Sequence, residues 1–497
     1  MSAIRYDIQV NQKPRTSPDF TVFDRYAPLT DLPALQAFSS RALRKSVRVN
    51  TLKMSVGDFE AYAADKGWNL EPVAWCPEAF FIDRADRSEA LGRDLHHLLG
   101  HFYMQEAASM LPPALLSVQP GEVILDMSAA PGSKTTQMAG HMESRGVIVA
   151  NDVQEKRLWT LKNALHRSGV ANVIVTKKVG QWFGKHMTER FDAVLCDAPC
   201  TAQGTVRKDS DALRYCSRDS IEKMSRLQFQ LLEAAVHAAK VGGRIVYSTC
   251  TLTPEENEGV ISQILNKFSV QLEVIDPRAL GITPEGFWNK AIEDSQKVQE
   301  HYALAAHRSV PFPALRLWPQ TYDTEGFFCA VLKKTAPTRH PERMDRVHFQ
   351  ERELPKSRLH SVGSQLRERY GSTFLREQDR LFERGESLLL GTEDMARFAM
   401  PVQDYSLGLP FAKRLKDGRI LPEHELITLR GAEAVRNVVE VSEDDLVTLL
   451  KAQGIDCPAD AVGHVLLRCN GLMIGMGLAK DGRLKNNLPR WMVQYNA

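Results

Sequence analysis

Phe191-Asp192-Ala193-Val194-Leu195-Cys196-Asp197-Ala198-Pro199-Cys200 is the stretch that decides the fold. Ala193 to Cys196 form an apolar run with no helical periodicity, which suits a strand covered on both faces of a parallel sheet. Asp197 ends the run. Pro199 has no N–H to donate and fixes its own φ, so Cys200 is expected just past the carboxyl edge of the sheet. Open α/β sheets bind ligands along that edge.

A second thiol fits the same edge. Gly242 and Gly243 are expected to break a helical stretch, Arg244 to Tyr247 reads as a further strand, and Ser248-Thr249-Cys250 closes it. If the two strands are parallel neighbours, Cys200 and Cys250 face one pocket. Cys196, inside its strand, reads as a small buried hydrophobe. No metal is expected, because Cys196 and Cys200 have the wrong spacing and no second ligand pair completes a tetrahedral set.

Working outward, the βα alternation is regular. Val123 to Leu125 is a strand ending in Asp126, Lys134 to Met142 a helix, Val147 to Ala150 a strand ending in Asn151-Asp152, and Gln154 to Ser168 a helix. Val173 to Val175 is the third strand, Phe191 onward the fourth, Ser220 to Lys240 a long helix, and Arg244 to Tyr247 the fifth strand. Such alternation predicts a doubly wound, Rossmann-like α/β sheet. Its first turn, Ala129-Ala130-Pro131-Gly132-Ser133-Lys134-Thr135, is built of small residues that let backbone approach a ligand and then opens a helix. Neither a Walker loop nor Gly-x-Gly-x-x-Gly is present, so a nucleoside site without a pyrophosphate clamp remains, with Asp152 placed to accept from ribose hydroxyls.

The 497 residues suffice for about three domains. We expect an N-terminal α+β module over 1–115, a catalytic domain over 116–335, a linker and small intermediate module over 336–400, and a C-terminal β-barrel over 401–497. Within the first, Leu32 to Leu43 and Val56 to Lys66 read as helices, Val47 to Leu52 as a strand, and Phe102 to Leu111 as a helix interrupted by Pro112 and Pro113. Lys333 to His360 reads as irregular, and 275–318 as a long connection of no evident purpose. Charged residues at 25% and hydrophobic ones at 43% exclude a disordered or fibrous chain. No apolar run reaches the roughly 18 residues of a membrane helix, and the stretch holding Arg5, Asp7, Lys13 and Arg15 lacks a signal-peptide core. A cytoplasmic monomer with reduced thiols and no membrane partner is therefore expected. Two basic segments, Arg41 to Lys53 and Arg468 to Arg490, bracket the sheet and suit a phosphate backbone.

The chain resembles the RNA cytosine-5 methyltransferases of the NOL1/NOP2/Sun family nearly end to end. The resemblance is carried by Ser46-Val47-Arg48-Val49-Asn50-Thr51-Leu52-Lys53, Tyr103-Met104-Gln105-Glu106-Ala107, Ala129 to Gln137, Asp197-Ala198-Pro199-Cys200, Ser248-Thr249-Cys250-Thr251 and Glu325-Gly326-Phe327-Phe328. It implies S-adenosylmethionine as methyl donor, held by Ala129 to Thr135, Asp152 and Asp197. It also implies small-subunit (16S) ribosomal RNA, or the assembled small subunit, as partner, and makes the C-terminal barrel a PUA-like RNA-binding domain. Two positions depart from the family pattern: Ala202 in Thr201-Ala202-Gln203-Gly204 replaces a glycine, and Val179 stands where the family has an acid on the adenine side of the cofactor. Those departures motivate the rival reading, an RNA-binding assembly factor without activity; a transfer-RNA substrate is the other alternative.

Carbon 5 of cytosine is too weak a nucleophile to accept a methyl group until a thiolate adds at carbon 6. From the residues alone, either cysteine could attack. The resemblance assigns Cys250 as nucleophile and Cys200 to product release, with Asp197 contacting the base and Lys134 the reacting site.

Overall fold

The computed structural model describes residues 20–86, 90–269, 271–280, 288–303, 312–340 and 349–494. Arg5, Asp7, Lys13 and Arg15 lie outside these residues, as do 281–287 and 304–311 of the long connection.

The central sheet runs in the order Leu272–Ile275, Phe327–Lys334, Ala239–Thr249, Phe191–Asp197, Val123–Asp126, Val147–Asn151, Val173–Thr176 and Ser406–Leu407, with Leu315–Leu317 paired to Phe327–Lys334. The five middle strands are parallel, and the chain reverses its direction of travel across the sheet between Val123–Asp126 and Phe191–Asp197. Every residue from Ala193 to Cys196 is buried, because helices cover both faces. Phe183, Leu232, Val236 and Ile261 pack on one face, and Leu115, Met138, Leu158 and Leu161 on the other.

Several local expectations are corrected. Gly242 and Gly243 do not break a helix: they lie inside the strand Ala239–Thr249, where the register against Phe191–Ala193 shifts and Gly242 takes φ +86°. Phe102–Met104 is a strand, followed by a 3-10 turn over Ala108–Met110. Pro112 and Pro113 open the helix Leu111–Leu116 rather than interrupt one, since first-turn N–H groups have no intrahelical acceptor to lose. The first helix spans Leu32–Ser39, shorter than its apolar spacing suggested, and the strand after it is Lys45–Val49.

Sheet pairing also crosses the expected boundary at 401. An antiparallel sheet orders Arg352–Glu353, Asp379–Arg384, Ser387–Thr392, Leu409–Arg414 and Ile420–Pro422, and the helix Lys356–Tyr370 packs on it through Val362 and Leu366. Structure therefore begins inside the stretch read as irregular. The C-terminal sheet comprises Val438–Glu440, Gly463–Cys469, Leu472–Lys480, Arg483–Asn486 and Ile455–Asp456 in that order. The long connection holds a helix, Asn289–Ala303, and buries Trp288 with its ring centroid 6.3 Å from that of Trp75.

The basic segments are less free than their sequence suggested. Arg48 is buried and ties the N-terminal module to the helix Ser133–His141, donating to Gln105 Oε1 at 2.9 Å, Thr136 Oγ1 at 2.8 Å and Ser133 O at 3.2 Å. Lys53 Nζ donates to Leu99 O and Thr428 Oγ1, both at 2.9 Å, joining the module to the C-terminal part. Arg44, Arg468 and Arg483 are paired with Glu71, Glu440 and Asp456. No helix among the described residues is long and apolar enough to cross a membrane.

Candidate active site

Parallel pairing of Phe191–Asp197 with Ala239–Thr249 sets Asp197 opposite Ser248. The chain beyond each strand end then carries a cysteine, and the Cys200 and Cys250 sulfurs come within 3.3 Å. Asp197 is engaged at both oxygens: Lys134 Nζ lies 2.8 Å from Oδ2, and Ser248 Oγ donates to Oδ1 at 2.7 Å. Burial disfavours the Lys134 charge, but Asp197 outweighs it through attraction and the hydrogen bond, so the ammonium is held above the ordinary lysine value. Cys200 is pushed well above the usual thiol range, first by its contact with Cys250 and then by burial. Its proton therefore remains on Cys200, available to the Cys250 sulfur.

A buried polar network fixes the two cysteine loops to each other. Thr201 Oγ1 and Thr251 Oγ1 are 3.1 Å apart. Glu256 collects Thr201 N at 3.0 Å, Gln228 Nε2 at 2.7 Å and Thr253 Oγ1 at 2.6 Å, together with Thr201 Oγ1. Gln203 bridges the same loops, donating to Thr201 Oγ1 at 2.9 Å and accepting from Thr251 Oγ1. Thr201 N and Oγ1 donate across to Glu256 and Thr251 Oγ1 donates across to Gln203, and such matched buried polar groups specify one geometry. Gly204 N donates to Cys250 O and Gly326 N to Gly204 O, both at 3.0 Å. A Cβ on Gly204 would lie 2.2 Å from Gly326 O, so only glycine admits this three-way backbone approach. Ala202, in the place of the family glycine, adopts φ +58°, a conformation costing an alanine about 1 kcal/mol. Nothing local in the sequence marks Glu256 or Arg207: Glu256 meets Thr201 55 positions away, and Arg207 donates to Thr324 O and Asp323 Oδ1, 117 and 116 positions away.

On the other side of the crossover point, Asp126 ends its strand and accepts from Thr135 Oγ1 at 2.7 Å. Burial, reinforced by Asp197, raises its pKa to about 7. Ala129 N donates to Asn151 O at 2.7 Å, and Gly132 takes φ +110° at the start of Ser133–His141, whose first turn has no side-chain cap. The loop packs closely on the helix Glu155–Arg167: Ala129 and Ala130 are buried, and a Cβ on Gly132 would come within 3.0 Å of Ala164 Cβ. Asp152 is buried, accepts from Gln154 N at 2.9 Å, and lies 3.1 Å from Arg157 Nη1. The Gln154 bond is made to Oδ1, and Oδ2 is the oxygen paired with Arg157. Val179 is 56% exposed on the segment after the third strand, which Gly180 lets approach Met127.

The structure thus brings Ala129 to Thr135, Asp152, Asp197, Lys134, Cys200 and Cys250 to the carboxyl ends of neighbouring strands. A parallel sheet with a cleft at its crossover point, small-residue loop and acidic strand ends has the architecture of a Rossmann-like methyltransferase. Comparison with known proteins agrees. The family described as 16S rRNA methyltransferase RsmB/F matches residues 113–333, the N-terminal domain of 16S rRNA methyltransferase RsmF matches 27–107, and the methyltransferase RsmF PUA domain matches 436–494. A ribosomal RNA small subunit methyltransferase F from Aeromonas hydrophila is 37% identical over 465 residues, covering 92% of both chains. Its namesake from Vibrio atlanticus is 35% identical over 477 residues, covering 93% of this chain and 94% of its own. Among solved structures, a methyltransferase homolog from Pyrococcus horikoshii superposes with a TM-score of 0.51 at 35% identity, over 63% of this chain and 93% of that one. The chain belongs to the RsmF-type rRNA methyltransferase family, whose methyl donor is S-adenosylmethionine.

Proposed function

We propose that this chain methylates carbon 5 of a cytosine in small-subunit ribosomal RNA through a covalent adduct between Cys250 and carbon 6, with Cys200 assisting release. The observation that carries the reading is the pair of thiols, 3.3 Å apart on the ends of adjacent strands, beside Lys134 and Asp197. The other half of the cleft suits the cofactor: the loop Ala129 to Ser133 carries only small side chains ahead of the helix, and the buried Asp152 presents Oδ2, whose close neighbour is Arg157 Nη1, as an acceptor for ribose. S-adenosylmethionine bound there supplies an electrophilic methyl group. Asp197, already paired, accepts from the exocyclic amine of the base. The contact that holds the proton on Cys200 is with Cys250. Once the Cys250 sulfur is bonded to carbon 6 that contact is lost, the Cys200 thiol gives up its proton to solvent more readily, and the resulting thiolate is the base that takes the carbon 5 proton. The N-terminal module and the PUA domain hold the surrounding RNA, which must present its cytosine unstacked, and the cytoplasm is where such a substrate is met.

Incubation of the full chain with S-adenosylmethionine and either free small-subunit rRNA or assembled subunits, followed by digestion and nucleoside mass spectrometry, is expected to give 5-methylcytidine. Methyl on any other atom overturns the reading. Val179 yields a second expectation. An exposed valine cannot accept the adenine amino hydrogen bond, worth about 0.5–1.5 kcal/mol. Val179→Asp should therefore tighten S-adenosylmethionine binding by roughly two- to tenfold in calorimetry. Unchanged affinity would mean that the adenine edge is not met by this segment.

A further inference from the structure

Two acids beside the cleft, the half-buried Glu106 and the buried Glu325, have no part in the scheme above. Glu106 accepts at both oxygens, from Glu325 N and from Ser109 N, each at 3.1 Å. Glu325 is 5% exposed, and its Oε1 is buried without a partner. Its own chain continues into Gly326, which bonds to Gly204 and through it to Cys250, and into Phe327, whose ring centroid lies 5.8 Å from Lys134 Nζ. The charged groups facing Glu325 are Glu106 from the N-terminal module, Arg207 and Lys208 from the loop beyond Cys200, and Lys134 from the helix that follows the small-residue loop. Burial and then Glu106 push Glu325 up to about 8 against the pull of the three cations, and burial raises Glu106 as well. At neutral pH Glu325 is therefore a neutral carboxylic acid, able to donate.

Of the charged groups placed beside the two thiols only the Lys134 ammonium can donate, and Asp197 holds it above the ordinary lysine value, which makes it a poorer proton source than a neutral carboxyl. Attack of the Cys250 thiolate on carbon 6 moves the C5=C6 π pair into the C4–C5 bond and places negative charge on ring nitrogen 3. Asp197 is ion-paired to Lys134 and accepts from Ser248, so it can receive the exocyclic amine but has no proton to give. We propose that Glu325, positioned by Glu106, is the proton donor to nitrogen 3 of the target cytosine. This rests on the cytosine-5 reading. As the Sγ–C6 bond forms, the carboxyl proton passes to nitrogen 3 and leaves a neutral enamine. Carbon 5 then takes the methyl group, giving a cation that loses its carbon 5 proton to the Cys200 thiolate, whose own proton has passed to solvent after Cys250 became bonded to carbon 6. Re-formation of C5=C6 expels the Cys250 thiolate, and the nitrogen 3 proton returns to the Glu325 carboxylate.

The test is the pH profile of kcat for the full chain on its rRNA substrate with saturating S-adenosylmethionine, for wild type, Glu325→Ala, Glu325→Gln and Glu106→Gln. The wild-type kcat should fall above about pH 8, where Glu325 ionises. Glu325→Ala should lose about 10²–10³-fold, the effect of removing one donor from a developing charge. Glu325→Gln keeps a neutral donor, so it should retain more activity than the alanine variant and lose the alkaline limb. Glu106→Gln removes the neighbouring charge that raises Glu325 and should move the limb to lower pH, a shift that a merely structural role does not produce. A Glu325→Ala kcat within threefold of wild type, or a limb that neither Gln variant moves, overturns the proposal. If Glu325→Ala does not fold, the Glu106→Gln limb decides. Nucleoside analysis separates the two readings: wild type without 5-methylcytidine defeats the reaction, whereas 5-methylcytidine with an unmoved limb defeats Glu325 alone.

Discussion

Cys250→Ala will abolish both turnover and adduct formation, while Cys200→Ala will accumulate protein covalently joined to its RNA. Loss of a nucleophile that no neighbour can replace costs on the order of 10⁴–10⁶-fold in rate, and with Cys250 removed only Cys200 remains, held protonated by burial. In Cys200→Ala the attacking sulfur, Lys134 and Asp197 are untouched. Attack and methyl transfer proceed, the carbon 5 proton has no base, and the adduct persists as a slowly migrating band on a denaturing gel with radiolabelled RNA. The opposite assignment of the thiols predicts the opposite band: adduct from Cys250→Ala and none from Cys200→Ala. A purely structural Cys200 predicts a destabilised protein with no adduct from either variant.

The strand ends were legible because apolar runs stop abruptly at Asp126, Asn151-Asp152, Asp197 and Ser248, and that punctuation is local. The same locality explains where reading failed. Two prolines after an apolar stretch read as an interruption, yet their missing N–H groups suit a helix start equally well, and only the antiparallel pairing of Phe102–Met104 with Val47–Val49 decides. Gly242 and Gly243 punctuate in either a helix or a bulged strand. Charge runs were misread for a different reason: Arg48 looks like its exposed neighbours until the helix Ser133–His141 supplies its acceptors. The sheet over 352–422 escaped because its strands are short and its pairing joins segments on both sides of Pro401. The resemblance reached further than periodicity at the site, since Glu106, Lys134 and Glu325 stand in its quoted motifs, but it could not reach Glu256 or Gln203, whose roles exist only once the cysteine loops are folded together.

Arg316→Met should be the most destabilising single change near the site. Arg316 and Glu258 are fully or almost fully buried, with Arg316 Nε donating to Glu258 Oε1 at 3.0 Å and Nη2 to Oε2 at 2.5 Å. The guanidinium lies 5.1 Å from the Trp318 ring centroid and 5.8 Å from that of Phe328, and Nη1 donates to Leu252 O at 2.8 Å, two residues past Cys250. Methionine fills the apolar space but leaves the Glu258 carboxyl buried without its cation, with only Ser295 Oγ, 3.2 Å away, and the start of the helix Glu258–Lys267 beside it. Breaking a buried pair from one side costs about 3–5 kcal/mol, which lowers the melting temperature by roughly 10 °C for a domain of about 200 residues. Arg316→Met combined with Glu258→Leu removes the stranded charge, so the double variant should melt within a few degrees of wild type even though it has lost more polar contacts. If the double variant is as unstable as the single one, charge is not the source of the loss. Its activity reads the second role. With stability restored and Leu252 O no longer held, a depressed kcat would show that the Arg316 bond to the Cys250 loop positions the nucleophile, whereas wild-type kcat would leave that task to Glu256 and Gln203.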